Sequence, residues 1–203
     1  MLDTNAAGTI NSAGTGAGGL DTGTIAASTW YSVWRIAKPG GTKSTLLSLS
    51  ATAPTMPSGY TLKARMGWIR TDASANMYPR PFTQVGQDVR VIVSADASYW
   101  QAATGNTGTS ANPTVAIATA NFCPSTAGAI VAALLTNGAA AGTASIAPNN
   151  NYINTTAPVV LTSTGGSSIA STLLEMNLES SNIYWGSNST GWSVFIHGWK
   201  DNL

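Results

Sequence analysis

Trp30-Tyr31-Ser32-Val33-Trp34-Arg35-Ile36, closed by Lys38-Pro39-Gly40-Gly41, is the stretch that decides the class of fold. β-Branched and aromatic side chains bounded by a Pro-Gly turn fit a pleated strand. Tyr31, Val33 and Arg35 on one side, and Trp30, Ser32, Trp34 and Ile36 on the other, do not sort into an apolar and a polar face. The strand is therefore expected to be buried on both sides or to make a two-sided contact.

The same pattern recurs along the chain. Further strands are expected at residues 45–50, 63–70, 78–84, 88–94, 114–119, 130–136, 159–163, 172–178, 183–185 and 192–199. Between them lie turn clusters such as Ala53-Pro54-Thr55-Met56-Pro57-Ser58-Gly59 and Thr71-Asp72-Ala73-Ser74-Ala75-Asn76. Residues 127–141 are rich in Ala and Leu, which also suit a helix, and their neighbours assign them to a strand. About eleven short strands with evenly spaced turns define an all-β protein, an antiparallel β-sandwich or jelly roll of two packed sheets. Residues 1–19 are Gly, Ala, Thr, Ser and Asn with few apolar side chains, and read as a short flexible N-terminal leader. Residues 20–203 then form a single β-sandwich domain, a length one core accommodates.

Composition narrows the function. Charged residues are 8% of the chain, against roughly 25% in an ordinary soluble domain. A polar surface so poor in charge suits a protein packed into an assembly or living in dilute surroundings. The net charge of +1 conceals a block from Arg35 to Arg90 that holds eight of the nine basic residues. Those residues are spread over several expected strands and need not share a face, so nucleic acid is not expected as a partner. No apolar run reaches membrane-spanning length, and Met1-Leu2-Asp3-Thr4-Asn5 lacks the opening of a signal peptide. Assembly in a cytosol, without membrane insertion, is the expectation. Cys123 stands alone, so no disulfide forms within the chain, and beside Phe122 it reads as a small buried hydrophobe.

The stretch Gly19-Leu20-Asp21-Thr22-Gly23-Thr24-Ile25-Ala26-Ala27-Ser28-Thr29-Trp30-Tyr31-Ser32-Val33-Trp34 resembles a cassette of small bacteriophage virion-surface proteins of the head-fibre, tail-fibre and capsid-decoration type. The resemblance continues through 50–60 and Gly67-Trp68-Ile69-Arg70-Thr71-Asp72 and returns at 192–202, while 95–171 carries no recognisable motif. It implies a jelly-roll-like sandwich on the virion surface, commonly trimeric, with no catalytic centre and no cofactor. Its implied partners are further copies of the chain, other virion proteins of the capsid or tail, and in a receptor-binding tail-fibre tip a host surface polysaccharide or protein. Within the cassette, Asp21-Thr22-Gly23 suits a tight turn, and Pro54, Pro57 and Gly59 suit a rigid crossover between sheets.

Several motifs invite chemistry and fall short of it. Leu20-Asp21-Thr22-Gly23 matches an aspartic-protease loop, but the turn explains it equally well. Gly14, Gly16 and Gly19 have dinucleotide-fingerprint spacing without the flanking strand and helix, and Gly41-Thr42-Lys43-Ser44 lacks the glycines of a P-loop. His197 is the only histidine, and Phe195, His197 and Trp199 are expected on one face of the last strand, as a packing surface. Glu175 and Glu179 are expected on one strand face, the one carboxylate pair open to a glycosidase reading. Neither catalytic residues nor metal ligands are assigned. Aromatics are the better lead: Trp185, Trp192 and Trp199 are candidates for a subunit interface or for stacking on sugar rings.

Overall fold

The structure is a computed structural model that describes residues 9–11, 13–74, 77–92, 97–136, 141–166 and 170–203. Thirteen strands are formed among the described residues. They are β1 (Trp30–Ala37), β2 (Lys43–Ser48), β3 (Leu62–Arg70), β4 (Phe82–Val85), β5 (Asp88–Val91), β6 (Gln101–Thr104), β7 (Val115–Ala118), β8 (Ala127–Thr136), β9 (Ala141–Ala147), β10 (Val159–Thr164), β11 (Ser171–Asn177), β12 (Asn182–Ser187) and β13 (Trp192–Asp201). Among the described residues, helix is confined to single turns at Ala97–Trp100 and Thr119–Asn121. The protein is all-β and sandwich-like, and every pairing between these described strands is antiparallel. Residues 127–136 are strand, as their context required.

Contacts divide the chain into two compact units, Met1–Arg80 with Leu203, and Pro81–Asn202. This differs from the single domain expected from residue 20 onward. The physical reason is the pairing: among the described strands, β1, β2 and β3 form a separate sheet, in the order β2-β1-β3, and none of them pairs with a strand of the second unit.

In the first unit, β1 is the central strand and both its faces are covered. Tyr31 and Leu47 pack with Leu20 on one face, joined by Ile10, Ile25, Val33 and Ile69. Trp34, Ile36 and Leu46 pack on the other, joined by Met56 and Tyr60. The Pro-rich segment after β2 is thus a crossover within one sheet, passing over β1 to reach β3, and not a passage between sheets as expected. Nor is the described part of the leader free: Gly18 N donates to Thr45 O (2.8 Å), Leu47 N to Gly19 O (2.9 Å) and Asp21 N to Leu47 O (2.8 Å). Residues 1–8 of that leader lie outside the described residues.

The second unit has two sheets, one ordered β10-β9-β12-β7 and one ordered β11-β8-β13-β5-β4, with β6 pairing along Ser193–Phe195 of β13. β13 dictates how the larger sheet buries its apolar face. Ile196 pairs with Ala132 and Gly198 with Val131, so His197 is an extra residue, a β-bulge. The added residue restores parity, and Trp192, Val194, Ile196 and Trp199 all turn to the same buried face. A Cβ at Gly198 would stand 2.0 Å from Val89 O, and its φ is +153°, so the bulge needs glycine there. β3 repeats the device: Val33 pairs with Gly67 and Trp34 with Arg65, leaving Met66 as the extra residue before Gly67 at φ +155°.

Candidate functional site

Trp185, Trp192 and Trp199, the expected stacking or interface residues, are 3%, 0% and 2% exposed. They are core. Trp185 shares a face with Ile183, Ile117 and Ile146, and Trp199 packs its ring 6.4 Å from Phe82. A buried indole has no free face for a sugar ring, which corrects the expectation. The grouping of Phe195, His197 and Trp199 on one face fails too, because the bulge separates Trp199 from Phe195.

The candidate catalytic carboxylates are held by scaffold bonds. Asp21 accepts from Thr22 N (2.8 Å), Ser48 Oγ (2.6 Å) and Thr55 N (2.9 Å), and so fastens its turn to the end of β2 and the segment beyond. This is the tight turn read from the sequence. Glu175 faces out from β11 and pairs with Lys200 Nζ at 2.7 Å; the hydrogen bond and charge of Glu175 raise the lysine above its ordinary range. Glu179 lies beyond the end of β11 and accepts from Asn149 Nδ2, so the two glutamates are engaged by different parts of the unit. Burial holds the His197 imidazole below its ordinary value, reinforced by the Arg90 charge. Burial likewise pushes the Cys123 thiol up to about 12, which keeps it protonated and unreactive at neutral pH. No group of three His, Cys, Asp or Glu side chains suited to a metal occurs among the described residues.

Two features of the sheet faces emerge that the sequence reading did not isolate. On one face of the first sheet, Lys63 lies 5.4 Å from the Trp34 ring centroid, Arg65 5.6 Å from Trp68 and Arg70 5.7 Å from Trp30. The Met66 bulge makes this ladder possible, because it brings Lys63 and Arg65 onto the face already occupied by Trp68 and Arg70. Each such contact contributes about 0.5–1 kcal/mol where exposed. The alternating basic and aromatic residues of β3 were a readable signal, but the extra residue that aligns them was not. The second feature is the outer face of β11, β8 and β13, where Leu173 is 62% exposed beside half-buried Leu135 and Phe195.

Basic and acidic residues also divide by unit. Met1–Arg80 carries seven Lys and Arg against Asp3, Asp21 and Asp72, a net +4, and Pro81–Asn202 carries Arg90 and Lys200 against five acids, a net −3.

Sheets and surface together define an all-β, sandwich-like protein with charge segregated between two units. No protein-family model matches the chain, and no curated protein or solved structure is significantly similar to it.

Proposed function

We propose that the chain is a non-enzymatic structural protein of a bacteriophage virion, an exterior capsid-decoration or head-fibre subunit that self-associates and binds the shell. The surface carries this reading. Charged side chains are 8% of the chain, and Leu49, Leu62, Tyr78, Val85 and Leu173 are 64%, 52%, 63%, 80% and 62% exposed. Burying such side chains against neighbouring protein removes apolar area from water, and the scarcity of charge keeps the desolvation cost of that contact low. The engagement of Asp21, Glu175 and Glu179 in scaffold bonds supports the same reading, as does the resemblance of the 19–34 cassette to virion-surface proteins.

Within this class the second unit is a jelly-roll member. The support is its winding: β9 pairs with β10, β8 with β11 and β7 with β12, three nested antiparallel pairs that alternate between the two sheets. The test is a density map of the intact particle, with the copy number of this chain. Decoration expects on the order of hundreds of copies spread over the shell. A few copies at the tail, together with binding of the purified protein to host cells, would overturn it in favour of a receptor-binding tip.

A further inference from the structure

An exposed sheet edge offers a row of backbone donors and acceptors to any passing strand, and proteins blunt their edges with charge, bulges, short strands or a covering segment. In the first unit, residues 18–21 cover the outer edge of β2. The edge of β3 carries Lys63, Arg65 and Arg70 and a bulge, and Arg80 N donates to Arg70 O at 2.8 Å. In the second unit, β4, β6 and β7 are four residues each, and β11 carries the Glu175–Lys200 ion pair across its middle.

β10 differs from all of these. It is six residues long and pairs with β9 through six consecutive partners without a bulge. Val159-Val160-Leu161-Thr162 holds no charge, no proline and no glycine, and Val160 is 38% exposed. We propose that the β10 edge over these four residues is a homotypic docking site, at which β10 of a second copy adds antiparallel and joins two four-stranded sheets into one. The argument for a second copy is electrostatic. A strand that meets itself across a twofold axis sets each side chain against residues of the same segment, so a charged edge would face like charge, whereas this edge faces Val, Leu and Thr. The inference rests on the self-association proposed above and specifies where it occurs. It also fixes its symmetry: a twofold contact makes pairs, in place of the trimer that the family resemblance implies.

The experiment is sedimentation velocity of the whole chain over a concentration series, beside Val160→Lys and a control, Val115→Lys, on the short β7 edge at the other end of the same sheet. Pairs are expected for the parent chain and for Val115→Lys, with dimerisation weakened at least about tenfold in Val160→Lys. Hydrogen exchange on the unaltered chain gives a second readout that needs no variant: the amides of 159–162 should gain protection as concentration rises. Oligomers that persist in Val160→Lys, with no concentration-dependent protection at those amides, would overturn the β10 site and leave self-association standing. A chain monomeric at every concentration would overturn both.

Discussion

Gly198 sits where no other residue fits, with Val89 O at 2.0 Å from the place of its missing Cβ. Gly198→Ala is expected to destabilise the protein by about 3 kcal/mol or more, read as a fall in the denaturant midpoint, because β5 must move away from β13 to admit a methyl group. Asp21 works by hydrogen bonding, and Asp21→Ala leaves Thr55 N and Ser48 Oγ without their acceptor. A loss of about 1–3 kcal/mol is expected, measurable by thermal or chemical unfolding. At His197 the folded state holds a proton less readily than the unfolded chain, since its value lies below the ordinary 6.5. The stabilisation is therefore complete above pH 6.5 and is lost as pH falls from there through the folded value. His197→Gln should flatten that dependence, so that unfolding midpoints at about pH 7.5 and about pH 5.5 draw closer together than in the parent chain.

Strands whose side chains advertise a pleat were legible and those made of small residues were not. β1, β3, β8 and β13 carry Trp, Val, Ile and Leu in runs, and they lie where the sequence places them, within three residues at either end. β6 (Gln-Ala-Ala-Thr) and β9 (Ala-Gly-Thr-Ala-Ser-Ile-Ala) went unread, because Ala and Gly have little strand preference and it is pairing, of β6 with β13 and of β9 with β10 and β12, that fixes them. The site reading failed at Trp199 for a related reason. A bulge shifts parity by one, and sequence alternation alone cannot reveal it. The leader misled through composition: residues 9–19 look unable to bury anything, yet backbone bonds to β2 seat Gly18 and Gly19, and Leu20 anchors the end. Leu20→Ala is accordingly expected to cost about 2–5 kcal/mol, seen as a lowered unfolding midpoint and faster amide exchange at Thr45 and Leu47.

At the scale of the whole chain, the net charges of +4 and −3 on the two units nearly cancel, and the isoelectric point is about 7.9. Oppositely charged regions on different copies attract when the sum is near zero and salt is low. A light-scattering series should show a solubility minimum near pH 7.9 that eases as salt is added; a minimum far from that pH would count against the charge argument. The strand order carries a different consequence, one of timing. β13 lies between β8 on one side and β5 and β6 on the other, yet follows all three in the chain. A ribosome that has passed residue 70 has already delivered every strand of the first sheet, whereas in the larger sheet the β13 flank of β8 stays unclaimed until residues 192–201 are made. The nascent polypeptide thus passes through a long interval with one half able to close and the other sticky, and that interval is where a chaperone would be of most use.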